Sequence, residues 1–199
     1  MSDFKACFER YIPRLVSALG KIPLSQVETL ADALLNAWIR GRQVFIFGNG
    51  GSGGNAIHLA NDFLYGISKS ILGGLKVHAL TANSSVITCL ANDEGYDRIF
   101  DYQLSVLGTE GDVAIALSGS GNSKNIIRAL ECCKTKKITS FAIIGYHGGL
   151  AKDLADYPIH IPIDDMQISE DLQLIIGHIL MQYLYSRKDF QNLNHGASQ

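Results

Sequence analysis

Residues 43–62 read QVFIFGNGGSGGNAIHLAND. An apolar run from Val44 to Phe47 breaks at Gly48, Asn49, Gly50, Gly51, Ser52, Gly53 and Gly54, and apolar residues return at helical spacing through Ala56, Ile57 and Ala60. That pattern predicts a strand, a glycine turn and a helix. Glycine lets a backbone pass close to a ligand and adopt positive φ, and the first N–H groups of a helix lack intrahelical acceptors. An anion such as a phosphate is the natural occupant above such a turn.

The string from Gly48 to Gly53 also satisfies G-x-G-x-x-G. A dinucleotide-binding turn expects an acidic residue about 20 positions on, placed to hold a ribose hydroxyl. No Asp or Glu lies between Asp62 and Asp93, and the second apolar run ends instead in Leu80, Thr81, Ala82, Asn83, Ser84 and Ser85. Those residues suit a small polyhydroxylated ligand, so the reading is a phosphate-bearing ligand and no nucleotide cofactor.

At 199 residues and 47% apolar composition the chain is long enough for one well-buried domain. A net charge of −2 supplies no general drive toward nucleic acid or an anionic membrane. No uninterrupted apolar run approaches membrane-spanning length, and the start MSDFKACFERY lacks the apolar core of a signal peptide, so a cytoplasmic protein is expected. Cys7, Cys89, Cys132 and Cys133 show no C-x-x-C spacing and read as reduced thiols.

Residues 1–41 predict two helices. Phe4, Phe8, Ile12, Leu15 and Leu19 recur at helical spacing, with Pro13 implying a kink or an early helix start, and Ser25 with Glu28 is a capping-box pattern before Leu30, Leu34 and Trp38. Their apolar faces are expected on the sheet or against another subunit. From residue 42 to 188 short apolar runs at 43–48, 76–80, 112–117, 140–145 and 157–162 alternate with helix-compatible segments. Runs apolar on both faces suit a buried parallel sheet with helices on either side, whose ligands sit beyond the C-terminal ends of the strands. A polar tail, 189–199, follows.

The third run ends in Ser118, Gly119, Ser120, Gly121, Asn122 and Ser123, with a helix beginning near Lys124. Three hydroxyls, several backbone N–H groups and a helix N-terminus converge there, as a phosphate dianion requires. The alternative is a polar turn in which Ser123 merely caps the helix. In Ile168–Tyr185, Leu172, Ile175, Ile176, Ile179 and Leu180 form a helix stripe, Ser169, Glu170 and Asp171 resemble a first helical turn, and His178 sits among apolar neighbours.

Taken together, GNGGSGGNAIHLAND, LTANSSVITCLANDEGYDRIF, ALSGSGNSKNII and ISEDLQLIIGHIL resemble the successive signatures of the sugar isomerase (SIS) domain, and more narrowly of the sedoheptulose 7-phosphate isomerases, or phosphoheptose isomerases. The resemblance implies a flavodoxin-like three-layer α/β/α fold with a five-stranded parallel sheet, and a homotetramer with active sites at subunit interfaces. It implies conversion of sedoheptulose 7-phosphate to D-glycero-D-manno-heptose 7-phosphate, for lipopolysaccharide, capsule or S-layer glycan. By the same resemblance Ser52, Ser118, Ser120 and Ser123 bind the phosphate, together with the backbone of Gly50, Gly51 and Gly119, and Asn49 lies near the sugar. His58, Asp62 and His178 fall on zinc positions, His178 also on a catalytic acid/base, and Glu170 on a family Gln that reaches both substrate and metal. Three residues depart from the pattern: Asp62 for a family Glu, Glu170 for that Gln, and Asn83 for an Asp that supplies a sugar or metal contact in many relatives.

The chemistry agrees with those positions. His58 and Asp62, four apart on one helix, differ by roughly 40° in direction and point into one site, and imidazole with carboxylate suits zinc. Glu170 and His178, eight apart, differ by roughly 80° in a regular helix, so both reach one metal only from an irregular first turn. Aldose–ketose interconversion needs a carbon base, here Asp62 with Glu170 as the alternative, and an oxygen acid/base, here His178. A second function class, a non-catalytic module that binds a phosphosugar or a replication initiator, needs the glycine and serine turns but not these side chains. Within enzymes, another sugar phosphate remains the alternative substrate.

Overall fold

The structure, a computed structural model, describes residues 3–69 and 73–187, so the 189–199 tail lies outside the described residues. Five strands, β1 (Gln43–Gly48), β2 (Lys76–Ala79), β3 (Val113–Ser118), β4 (Thr139–Ile144) and β5 (Tyr157–His160), form one sheet in the order β2-β1-β3-β4-β5. Every pairing is parallel. Central strands β1, β3 and β4 are buried almost throughout, whereas edge strands β2 and β5 alternate with exposed positions.

Because side chains alternate across a strand, each central strand feeds two cores. Val44 and Ile46 of β1 join Ile115 and Leu117 of β3 under helices α2 (Leu24–Arg40), α3 (Gly50–Asn61) and α8 (Met166–Ser186). Phe45 and Phe47 join Ala114 and Ala116 on the other face, under α4 (Ser84–Asp93), α5 (Asp101–Leu107), α6 (Lys124–Lys136) and α7 (Ala151–Leu154). The result is the three-layer α/β/α arrangement that the apolar runs predict.

Helix α1 (Asp3–Leu19) runs through Pro13 without interruption and buries only Ala18. Phe4, Phe8, Ile12, Val16 and Leu19 face outward, Phe4 at 80% exposure. Polar contacts tie the helix to the start of α8: the Tyr11 hydroxyl donates to Asp171, and Arg14 pairs with Asp165 at 2.9 Å.

Three local expectations change. Helix α2 begins at Leu24 with Pro23 in the cap position, and Ser25 turns its hydroxyl to Gln26 in place of a capping box, because the Pro23 carbonyl already receives the N–H groups of Gln26 and Val27. Helix α8 begins at Met166, where the Asp165 side chain accepts from Ile168 N at 3.1 Å, which puts Ser169–Asp171 about one turn inside the helix. Helix α3 begins at Gly50, so the glycine-rich stretch is itself mostly helical.

Candidate active site

Strands β1 and β3 lie side by side, but their chains depart to opposite halves of the sheet, β1 toward β2 and β3 toward β4. The crevice beyond their C-terminal ends is where ligands of doubly wound sheets bind. Two turns meet there, one at Asn49 and one over Ser118–Ser123, around a cavity of about 80 Å³ lined in part by Asn49, Ser52, Ser118, Ser120, Ser123 and Glu170.

Glycine makes this approach possible. A Cβ on Gly48 would lie 2.8 Å from both the Leu117 carbonyl of β3 and Ser52 of α3. Gly121, at φ +67°, has no room for a Cβ against the Gly148 carbonyl, so the 145–150 loop buttresses the serine turn from outside. Leu150 N donates to Asn122 Oδ1 at 3.0 Å and locks the two loops together.

The donors inside the cradle are neutral. Helices α3 and α6 both open onto it, and neither Asn49 nor Ser123 makes a side-chain capping bond; by contrast, α4 and α8 are capped by Asn83 and Asp165. Ser123 thus holds the cap position of α6 without its hydroxyl making a capping bond. Ser52 Oγ accepts from Gln173 Nε2 at 3.0 Å, Ser118 Oγ from Gly121 N at 3.0 Å, and Ser120 Oγ from Asn122 N at 3.3 Å. Ser118 and Ser120 are fixed as acceptors by their own turn and Ser52 by Gln173 of α8, which leaves each O–H free to donate to an incoming anion. Gly119 lies beneath Met166 and Tyr146, and Gly50 takes φ +54° at the first helical position.

The second half of the site lies along the seam of α3 and α8. These helices run side by side in the same direction: Gly51 meets Glu170, Leu59 meets Gly177 and, in the turn that continues α3, Gly66 meets Met181. Near the C-terminal end of α3, His58 Nε2 and His178 Nε2 stand 2.9 Å apart, and Asp62 reaches them at 3.4 and 3.6 Å. Asp62 opens a π-helical turn, Asp62–Gly66, an irregularity that recurs at functional sites and that its sequence does not announce.

This donor set fits a divalent metal. Two imidazole nitrogens and a carboxylate oxygen all lie within 4.8 Å of one another. Donors held about 2.0–2.1 Å from a tetrahedral zinc lie about 3.3–3.4 Å apart, close to the three separations found here.

Two residues stand elsewhere. Glu170 is outside the His–Asp–His group, because α8 is regular there and eight residues separate it from His178 by about 12 Å along the axis. Its carboxylate lies instead over Gly51 in the cradle. Asn83 accepts from Val86 N at 3.2 Å as the cap of α4 and lines a separate cavity of about 1000 Å³ between β2, α4 and α5, away from the serines.

Sequence reading misses the residues that hold the site in place. Asn125, 2% exposed, exchanges two hydrogen bonds with Asn49 at 2.9 and 2.8 Å, and Tyr96 donates to Asn49 at 2.9 Å. Gln173, 1% exposed, joins Ser52 and accepts from Asn55 at 3.0 Å. The one signal is a polar residue interrupting the apolar stripe of α8.

A profile of the SIS domain matches residues 7–145. The chain belongs to the SIS domain family. Among curated SIS relatives, the phosphoheptose isomerase of Aneurinibacillus thermoaerophilus is 38% identical over 159 residues, 79% of each chain. That of Synechocystis is 33% identical over 181 residues, 90% of this chain and 92% of its own. A solved phosphoheptose isomerase from Francisella tularensis superposes with a TM-score of 0.86 at 26% identity, covering 94% of this chain and all of that one. Phosphoheptose isomerase GmhA from Neisseria gonorrhoeae gives 0.83 at 27% identity, over 92% and 97%. Among the described residues of this SIS domain, no helix is long and apolar enough to cross a membrane.

Proposed function

We propose that this chain is a phosphoheptose isomerase, interconverting sedoheptulose 7-phosphate and D-glycero-D-manno-heptose 7-phosphate in bacterial heptose biosynthesis. The observation that carries this reading is the seam between α3 and α8. It has an anion cradle at one end and a His–Asp–His group at the other. A phosphosugar gripped by its phosphate is thereby held far from its reacting carbons, and binding energy from the phosphate orients the carbonyl end.

Interconversion passes through an enediol: a proton leaves one of C1 and C2 and returns to the other, while a second proton moves between the two oxygens. Glu170 stands at the phosphate end, so the carbon base at the carbonyl end is Asp62. His178, with Nε2 at the same cluster and a side chain 44% exposed, moves the proton between the oxygens. Zinc held by His58, Asp62 and His178 would occupy the Nε2 that otherwise carries this proton, and would supply in its place polarisation of the sugar carbonyl and an offset for the negative charge on its oxygen.

Assembly as a homotetramer with sites at subunit interfaces accounts for the outward stripe of α1. It also accounts for Ile57, Leu64 and Tyr65, which are 46, 57 and 60% exposed beside His58 and Asp62. A purely binding role leaves the convergence of two histidines and a carboxylate without a purpose.

The test is incubation with sedoheptulose 7-phosphate in deuterated water. Aldose product and deuterium at C1 or C2 are expected. Binding with neither product nor label would leave a sugar phosphate-binding module and end the isomerase reading.

A further inference from the structure

Glu170 brings a negative charge into a cavity otherwise equipped to receive an anion. Its carboxylate rests on the first turn of α3, where a Cβ on Gly51 would overlap both of its oxygens. Among the described residues no hydrogen bond or ion pair engages that carboxylate, although the Glu170 backbone carbonyl accepts from Asn55 at 3.0 Å. No Lys, Arg or His lines the cavity. The carboxylate is thus held at the open N-terminus of α3 by proximity to unpaired N–H groups, on a side chain with three rotatable bonds.

We infer that Glu170 is the specificity-determining residue of the cradle: it holds the anion position against free inorganic phosphate and yields it to a phosphate that carries a sugar. The argument rests on the isomerase reading. A phosphate entering beside the carboxylate meets like-charge repulsion, undiluted by any cation in the lining. Inorganic phosphate offers nothing in return. A phosphosugar displaces the side chain equally, but its hydroxyl groups then donate to the displaced carboxylate, charge-assisted hydrogen bonds that offset the repulsion. Neutral glutamine in the same place lacks both effects, so it discriminates less.

The experiment compares the full-length wild type with Glu170→Gln, Glu170→Met and Ser120→Ala, each verified by circular dichroism. Binding of inorganic phosphate and of sedoheptulose 7-phosphate is measured by calorimetry. In both Glu170 variants, inorganic phosphate is expected to bind at least about tenfold more tightly, the factor that 1.4 kcal/mol supplies. The preference for phosphosugar over inorganic phosphate is expected to shrink by a similar factor. Unchanged phosphate affinity in both variants, or an equal gain for both ligands, would overturn the assignment. Ser120→Ala separates this outcome from failure of the underlying reading. Phosphosugar affinity undiminished in that variant would remove the cradle as the phosphate site, and the role of Glu170 with it.

Discussion

Gly177 of α8 faces Leu59 of α3 with no space for a side chain between them: a Cβ at 177 would overlap Leu59 Cδ2. This contact sets the separation of the two helices one residue from His178 and one from His58, so a glycine with no chemistry of its own fixes the 2.9 Å between the imidazoles. Gly177→Ala is expected to cost about 1–3 kcal/mol through overpacking. Urea midpoints measure that cost, and metal content measures the accompanying spread of the histidines. An unchanged midpoint would show that the seam relaxes freely.

Replacing His178 with Gln keeps the side chain polar and of similar size but removes the acid/base. Turnover of sedoheptulose 7-phosphate is expected to fall by about 10²–10⁴-fold, the usual contribution of a positioned proton carrier. Activity within twofold of wild type would exclude His178 from proton transfer.

Zinc should bind the folded chain through His58, Asp62 and His178. At a free concentration 100 times its dissociation constant, zinc is expected to stabilise the wild type by about 2.7 kcal/mol. His58→Ala is expected to lose most of that gain. Equal shifts in melting temperature for the two proteins would place the metal elsewhere.

The Tyr11–Asp171 contact predicts an alkaline limb in stability. Burial and then the Asp171 carboxylate push the Tyr11 hydroxyl from 10.0 up to about 12. Because the folded-state pKa is the higher one, the contribution is intact below pH 10 and is lost as pH rises from about 10 through about 12. Tyr11→Phe should lower stability by about 1 kcal/mol at pH 8 and remove this limb from the urea midpoint profile. A limb of the same size in the variant would assign it to another group.

The sheet was legible because burial on both faces leaves a simple mark, uninterrupted apolar runs such as Val44–Phe47 and Val113–Leu117. His58 and Asp62 were legible for a similar reason, since spacing by four on one helix is local information. The start of α3 was not. Glycine has low intrinsic helix propensity, and the first turn of α3 is engaged by residues far along the chain, Glu170 of α8 lying over Gly51 and Gln173 of α8 bonding Ser52. Glu170 misled in the same way: the acidic cluster Ser169–Asp171 looks like a helix start, but Asp165 takes the cap and turns Glu170 into the cradle. The pairings of Asn49 with Asn125 and of Ser52 with Gln173 span 76 and 121 residues and leave no periodic trace.

The interlock of the serine turn with the 145–150 loop carries a consequence for how this protein can vary. Gly121, Gly148 and Gly149 all take positive φ, and a Cβ on Gly149 would lie 2.6 Å from Asn122 Oδ1 and the Ser120 carbonyl. Neither loop can accept a methyl group without lifting the other off the hydroxyls that face the ligand. A library randomised at these three codons and selected for isomerase activity should therefore return glycine at each, although none of the three touches a reacting atom.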